Sequence, residues 1–189
     1  GYSLNFIWHN NFVSNLNQVY AYNSNNVWDD GYPSGGNYWS DHNNTDTNED
    51  GVGENPYQIN QNNTDNYPLM APINIFETGT YENTTYYVEI VSNSTVLNLA
   101  FNPQEGAFMA FNVSGHNGTV GFCRVTIPKS LLWTEDEWTI QVGGETIADY
   151  IVIPDENSTH LYFTYPHSTK TVQIKGTHVI PEYPPIIIL

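Results

Sequence analysis

The sequence has very little positive charge. Four of its 189 residues are Lys or Arg against 20 Asp or Glu, which gives a formal net charge of -16. The first permanent cation is Arg124, so 123 residues precede it without one. Nucleic acids and anionic membrane surfaces are bound through clustered Lys and Arg, so this balance argues against both as partners. It suits a protein that binds divalent cations.

Cysteine is also nearly absent. The single Cys123 excludes an internal disulfide framework and any site with several thiolate ligands. It lies in the apolar stretch Val120–Val125, where we expect a small buried side chain.

A recognisable catalytic set is missing. The six His residues form no H-E-x-x-H or H-x-H cluster and are expected at surfaces and turns. No G-x-S-x-G elbow is present. Two carboxylates among Asp29, Asp30 and Asp41 would satisfy a glycosidase, but such pairs arise by chance in so acidic a chain. We therefore predict that the protein is not an enzyme.

Long apolar runs are lacking too. The longest at the C-terminus, Ile186–Leu189, has four residues, whereas a membrane-spanning helix needs about 20. We expect a soluble chain that meets a membrane only through an anchor removed from its C-terminus. As an alternative, this extended segment could complete the sheet of a neighbouring molecule.

An acidic loop is the most specific feature present. Oxygen-bearing side chains stand at alternate positions Asp46, Asn48 and Asp50, followed by Gly51 and then, two residues after Val52, Glu54. A D-x-[DN]-x-[DN]-G run places side-chain oxygens and one backbone carbonyl around Ca²⁺, which prefers six to eight hard oxygens. The carbonyl here is that of Val52.

The loop is not an EF-hand, because Tyr57 stands where the last ligand should be and neither flank has helical periodicity. Further oxygens would come from Asp41 and Asp65, or from Asp29 and Asp30. The alternative interpretation is a solvated, turn-rich loop without an ion.

The composition changes near residue 78, which predicts two all-β domains and a tail. Residues 1–77 are rich in Asn, Tyr, Trp, Gly and Asp, and residues 179–189 form an extended, Pro-rich tail. Residues 78–178 contain about eight segments of period two, which predict an immunoglobulin-like β-sandwich. The segments are 86–91, 95–101, 108–113, 120–127, 137–142, 150–153, 160–165 and 170–175.

Short alternating segments separated by Asn-rich corners occupy the beginning of the chain. Residues 5–12 and 17–22 alternate, and runs of Asn follow them. Asn tolerates the left-handed backbone that the corners of a parallel β-helix require. The pattern favours one or two coils of such a fold.

Five motifs together resemble the carboxy-terminal end of NosD-like (CASH) right-handed parallel β-helix proteins of archaeal cell surfaces. They are Asn5-x-Ile-x-x-Asn-Asn-Phe12, Trp28-Asp-Asp-Gly31, Gly36-Asn-Tyr-Trp-Ser-Asp41, the loop at 46–57, and Asp65-Asn-Tyr-Pro-Leu-Met70. The resemblance covers about residues 4–72 and implies a secreted β-helix of carbohydrate-binding or hydrolase-like ancestry. Copper handling is not expected, because soft ligands are few. Where the family usually has Asp, this loop has Asn48 and Glu54, which predicts weaker calcium binding.

Two further stretches are similar to parts of archaeal surface proteins. Residues 121–128 with 162–168 are similar to a sandwich domain near their carboxy termini. The tail 180–189 is similar to the Pro-Glu-aromatic-Pro signature that precedes their membrane anchor.

The aromatic residues Trp28 and Trp39 have two interpretations. Exposed rings beside Asp can stack on sugars, which would make these residues glycan contacts. Alternatively, they fill the open end of the β-helix.

Seven N-x-[ST] sequons are compatible with an exported glycoprotein. They start at Asn43, Asn62, Asn83, Asn93, Asn112, Asn117 and Asn157. We therefore expect a calcium-stabilised, extracellular structural or adhesive protein of an archaeal envelope, with surface glycans or its own copies as partners. The alternatives are a self-assembling filament or sheath subunit that donates a strand, and a carbohydrate-binding or carbohydrate-active module.

Overall fold

The computed structural model describes residues 3–81 and 83–180, and this part of the chain consists of strands and turns without a helix. It confirms the all-β class. The strands are β1 (Asn11–Phe12), β2 (Tyr38–Trp39), β3 (Tyr57–Asn60), β4 (Asn63–Asp65), β5 (Ile73–Tyr81), β6 (Thr84–Ser92), β7 (Thr95–Phe101), β8 (Phe108–Ser114), β9 (Val120–Pro128), β10 (Leu132–Trp133), β11 (Thr139–Val142), β12 (Glu145–Ile147), β13 (Tyr150–Pro154), β14 (Ser158–Pro166), β15 (Lys170–Lys175) and β16 (His178–Val179).

Three segments within the first 70 residues lie parallel to one another and form what we call the N-terminal stack. The first segment, residues 3–12, pairs with residues 24–39 through the bridges Ser3 to Ser24 and Phe6 to Val27 and through β1 and β2. The second segment pairs in turn with a third, residues 65–70, by a parallel bridge between Tyr38 and Leu69. Parallel pairing between segments this far apart in sequence gives the stack successive layers.

Asparagine side chains bond one layer to the next. The Asn37 amide donates to the carbonyls of Ile7 and Trp28 at 2.8 and 2.7 Å, and its oxygen accepts the Asn10 N–H at 3.1 Å. The Asn63 oxygen accepts the Trp28 indole N–H at 2.9 Å. Because a buried amide left unpaired is costly, these bonds fix the order of the layers.

Aromatic rings fill the interior of the stack. Phe12 stacks on Trp39 with ring centroids 4.2 Å apart, and Tyr57 stacks on Trp39 at 4.1 Å. Trp28 and Trp39 are each only 1% exposed.

The buried carboxylate of Asp65 accepts hydrogen bonds from N–H groups close to these rings. It accepts N–H bonds from Asn37 at 2.7 Å, the Trp39 indole at 2.8 Å and Tyr67 at 3.1 Å. Gly36 leaves the space for it, since a Cβ there would lie 2.0 Å from an Asp65 oxygen. Burial raises the pKa of Asp65, and these hydrogen bonds oppose the rise.

Two antiparallel five-stranded sheets form a β-sandwich after the stack. One has the order β12-β11-β15-β8-β7 and the other β13-β14-β9-β6-β5. Alternate side chains of both sheets, among them Ile90, Phe111, Val125 and Ile174, are buried in one apolar core. Cys123 lies in this core as predicted and is fully buried, which raises its pKa to about 11.

All eight strands predicted for the second domain are present, but its boundary is wrong. Strand β5 begins at Ile73 and continues through residue 78, with a bulge between Glu77 and Gly79. Gly79 therefore marks an irregularity within an edge strand, and the prolines at 68 and 72 precede the sandwich. The short strand β12 was also missed.

A small apolar cluster joins the stack to the sandwich. Val52, Leu69 and Ala71 pack against Ile73 and Val91 of the second sheet, and all five side chains are buried. The acidic loop therefore packs against the body of the protein through Val52.

No helix in residues 3–81 and 83–180 has the length and apolarity needed to cross a bilayer. The predicted anchor signature and the Ile186–Leu189 strand lie outside the described residues.

We expect Asp65→Ala to lower the free energy of unfolding by about 3 kcal/mol, because buried N–H donors of Asn37, Trp39 and Tyr67 lose their acceptor. Urea unfolding followed by tryptophan fluorescence measures the change. Asp136→Ala, which removes an exposed carboxylate, is the control and should leave stability within about 0.5 kcal/mol of the wild type. Equal stability of the two variants would contradict the role given to Asp65.

Candidate functional site: the acidic loop and its surroundings

The acidic loop folds around its own carboxylates. The two Asp46 oxygens accept the backbone N–H groups of Asp50 and Gly51, each at 2.9 Å. Glu54 reaches back to accept the N–H of Thr47 at 2.7 Å and its hydroxyl at 2.8 Å. Gly51 has a φ of +81°, which permits the sharp turn that the sequence predicts there.

Four of the predicted ligands line one small cavity. Asn48, Asp50, Val52 and Glu54 surround a space of about 130 Å³, together with Asn66 and two tyrosines. Asp50 is 2% exposed, so its carboxylate is held inside the protein. Because a water molecule occupies about 30 Å³ of liquid, the cavity has room for a cation with a few waters.

The chemistry of this donor set fits a hard cation. Each carboxylate oxygen can accept more than one bond, so the Asp46 oxygens that hold backbone N–H groups retain free lone pairs, but Asp46 does not line the cavity. The Asp50 carboxylate is occupied more fully, since one oxygen accepts the Val52 N–H at 2.7 Å and the other accepts the Asn48 amide at 2.8 Å. To bind Ca²⁺, Asn48 would turn its amide and present its oxygen.

Like charges crowd the loop. Burial raises the pKa of Asp46, and the nearby charges of Asp50 and Glu54 add to this effect while the backbone hydrogen bonds oppose it. For Glu54, slight desolvation is outweighed by the hydrogen bonds from Thr47 and Asn48, which lower its pKa. A bound cation would relieve the repulsion between these carboxylates.

The other predicted ligands, Asp46 among them, do not line the cavity. Asp41 is exposed and accepts a bond from the Tyr57 hydroxyl at 3.2 Å. Asp65 accepts hydrogen bonds inside the N-terminal stack. Asp29 accepts the backbone and side-chain N–H groups of Asn66 at 2.9 and 2.8 Å, and Asp30 accepts the Ser34 hydroxyl at 3.0 Å.

Across residues 3–81 and 83–180, no three side chains of His, Cys, Asp or Glu are grouped as metal ligands. The cavity presents two carboxylates, Asp50 and Glu54, so the amide of Asn48 and the Val52 carbonyl would have to complete the coordination.

A buried arginine lies beneath the loop. Arg124 of β9 is 2% exposed, and a Cβ on Gly51 would lie 2.8 Å from its Cδ. One guanidinium nitrogen donates to the Pro33 carbonyl of the N-terminal stack, and another donates to Thr126 at 3.5 Å. Burial lowers the pKa of Arg124 to about 10, and the negative charge of Asp50 opposes this, so the side chain stays charged at neutral pH.

The two tryptophans that were considered as glycan contacts are inside the protein. Trp28 and Trp39 are each 1% exposed and in contact with Phe12. Their faces are covered, so a glycan contact at these residues is incompatible with the structure. They pack the interior of the stack instead.

The sequon asparagines differ in accessibility. Asn43, Asn62, Asn83, Asn93, Asn117 and Asn157 are exposed, and Asn112 is half-buried. Two of the seven have occupied side chains: Asn93 bonds both Val120 and Phe122, and Asn112 accepts the Thr171 hydroxyl.

Sequence reasoning missed a cleft between the N-terminal stack and the second sheet. His9 and His160, expected at the surface, are half-buried and buried, and both line this space of about 510 Å³. His9 contacts Glu89 at 3.2 Å, and His160 contacts Asp155 at 2.9 Å. No sequence motif predicts these pairs. His9 and Glu89 are 80 residues apart, and Asp155 and His160 are five residues apart on a turn whose sequence has no distinctive pattern.

His160 is held in its neutral form. Burial and the charge of Arg124 lower its pKa to about 4, although the hydrogen bond to Asp155 opposes this. Neutral His160 then donates from Nε2 to Asp155 and accepts from the Thr126 hydroxyl at Nδ1, 2.9 Å away.

No protein-family model, curated protein or solved structure matches the chain.

We expect His160 to make stability rise with pH between about 4 and 6.5, because the unfolded chain binds a proton at His160 in this range and the folded chain does not. The contribution of neutral His160 to the free energy of unfolding is fully present above the pKa that His160 has in the unfolded chain. It is lost as the pH falls toward 4, the pKa of His160 in the folded chain. His160→Gln should reduce the slope of unfolding free energy against pH by about 1 kcal/mol per pH unit. Urea unfolding at several pH values measures it.

His116→Gln is the matched control, because His116 is exposed on a turn. It should retain the slope of the wild type. A His160→Gln protein with the same slope as the wild type would contradict the buried neutral histidine.

Proposed function

We propose that this chain is a calcium-stabilised structural or adhesive part of an extracellular surface protein, without enzymatic activity. In this proposal the N-terminal stack is the end of a right-handed parallel β-helix, and the sandwich is an immunoglobulin-like spacer. The tail leads to a membrane anchor of an archaeal envelope. The observation that carries the proposal is that Asn48, Asp50, Val52 and Glu54 line one small cavity.

The position of the loop explains why a cation would stabilise the protein. Val52 belongs to the apolar cluster that joins the stack to the sandwich, and Gly51 packs on Arg124 of the second sheet. The loop also pairs with the third segment, since Gly53 N–H donates to the Pro68 carbonyl at 2.8 Å and Met70 N–H donates to the Gly51 carbonyl at 3.1 Å. A cation that orders the loop would therefore stabilise the junction.

The exposed sequons support an extracellular location, because glycosylation acts on accessible asparagines of exported proteins. Weak calcium affinity is sufficient there, since extracellular sites work at millimolar concentrations.

We expect calcium to raise the melting temperature relative to EDTA. At a hundredfold excess over Kd, the gain is about 2.7 kcal/mol, which corresponds to about 5–10 °C for a chain of this size. Asp50→Ala should abolish the calcium-dependent shift, whatever its effect on stability in EDTA. Asn48→Asp adds a charged ligand and should tighten calcium binding several-fold in calorimetry.

Asp41→Asn is the matched control, because it removes an exposed carboxylate that lies outside the cavity. It should keep the full calcium response. The proposal fails if the wild-type melting temperature is the same in calcium and in EDTA, or if Asn48→Asp leaves calcium binding unchanged.

One observation favours self-assembly as a second candidate. Within the described residues the backbone of the first segment pairs with the second segment alone, and exposed apolar side chains lie on it and on the connection that follows it. Leu4 is 61% exposed, Phe6 64%, Leu16 100% and Tyr20 85%. An unpaired strand edge without charges is suited to receive a strand from another molecule.

If this edge mediates assembly, the purified wild-type protein should sediment as oligomers at micromolar concentration. Phe6→Asp should return it to a monomer, because a buried unpaired charge opposes the contact. Val120→Asp, at an exposed apolar position of the sandwich, should leave the oligomers intact. A monomeric wild-type protein would rule out this candidate.

A further inference from the structure

The cleft between the N-terminal stack and the second sheet has the size of a ligand site. Its volume of about 510 Å³ falls within the range of small-molecule sites, and such sites often lie where two parts of a protein meet. The stack contributes Trp8, Asp30 and Tyr32, and the sandwich contributes Tyr87 and Glu89.

The charge of the cleft is negative. Asp30, Glu89, Asp155 and Glu156 line it, and none of the described lining residues is Lys or Arg. Two cations offset part of this charge: Arg124 lies beneath the cleft and interacts with the charges of Glu89 and Asp155, and Lys129 donates to the backbone carbonyl of Asp155. An anionic ligand would therefore be repelled.

Neutral donors orient these carboxylates without cancelling their charge. Asp155 accepts the backbone N–H groups of Asn157 and Ser158 at 2.7 and 2.6 Å, and it accepts a third bond from neutral His160. Asp30 accepts the Ser34 hydroxyl at 3.0 Å. Asp30 and Asp155 are thus held in fixed positions and remain available to a cationic ligand.

Aromatic rings form the other part of the lining. Tyr32 and Tyr87 are 52% and 48% exposed, and Trp8 is half-buried beside them in the cleft. The face of an aromatic ring attracts a cation, most strongly where carboxylates are also close. Aromatic rings and fixed carboxylates in one cleft are the combination that recognises an ammonium group.

We infer that this cleft binds a protonated primary amine, carried either by a small polyamine or by a lysine side chain of a partner. The ammonium group lies among the carboxylates, and the alkyl chain lies along Trp8, Tyr32 and Tyr87. This site is separate from the calcium loop and does not require the loop to hold an ion.

Calorimetry in EDTA and at low salt tests the inference with two probes, spermidine and Nα-acetyl-lysine methylamide. We expect Asp30→Asn and Tyr87→Leu each to weaken amine binding at least tenfold. Glu145→Gln removes an exposed carboxylate from the other sheet and is the matched control, so it should bind as the wild type does.

The two probes separate the two sources of the amine. Tighter binding of spermidine supports a polyamine, and tighter binding of the lysine derivative supports a lysine of a partner protein. The inference is overturned if neither probe binds, or if Glu145→Gln weakens binding as much as Asp30→Asn, which would indicate general attraction to an acidic surface. It is also overturned if the uncharged norleucine derivative binds as well as the lysine derivative.

Discussion

The packing of the N-terminal stack against the sandwich, the two halves of this acidic protein, depends on one buried cation. Arg124 stands in the middle of β9 with 2% of its surface exposed, and its Nε is the one buried side-chain polar atom in the described residues without a partner. Burying a guanidinium is costly unless opposite charge and hydrogen bonds compensate. The compensation comes from both halves, through the Pro33 carbonyl and through the charges of Asp50 and Glu89. Removing either half would leave this charge poorly compensated, so Arg124 favours their association.

The same arrangement explains how an acidic loop can pack against the protein. Asp50 is buried within reach of the charge of Arg124, and like Asp46 and Glu54 it accepts hydrogen bonds from its own loop. These hydrogen bonds already hold the backbone of the loop in a turn. A cation would add its charge to a loop whose conformation is already formed.

The sequence predicted the elements that depend on local pattern. Period-two alternation placed all eight predicted strands of the sandwich, and of the loop positions singled out by their spacing, Asn48, Asp50, Val52 and Glu54 line one cavity whereas Asp46 does not. Trp28 and Trp39 were open to two interpretations, because sequence does not tell which aromatic rings a fold will cover. The boundary was misplaced because Gly79, which interrupts the pattern, causes a bulge within β5 and not a break between domains.

Contacts between distant residues could not be predicted from pattern. His9 meets Glu89 across 80 residues, and Arg124 meets Pro33 across 91. Each contact depends on how the stack is placed against the second sheet, and no periodicity encodes that placement. The candidate loop was accessible to sequence reasoning because its ligands lie within nine residues, whereas the cleft combines residues from both halves.

Loop and cleft are linked physically, although they are separate sites. Tyr32 lines both the small cavity and the cleft, and the charge of Arg124 interacts with Asp50 on one side and with Glu89 and Asp155 on the other. A cation in the loop would compete with Arg124 for Asp50 and add positive charge near the cleft. An ammonium group in the cleft would compete with Arg124 for Glu89 and Asp155 in the same way. Because linkage between two binding sites is reciprocal, each cation would weaken the binding of the other by the same factor. If both sites bind cations, the shared arginine would couple them negatively, and the coupling should fall as salt screens the charges.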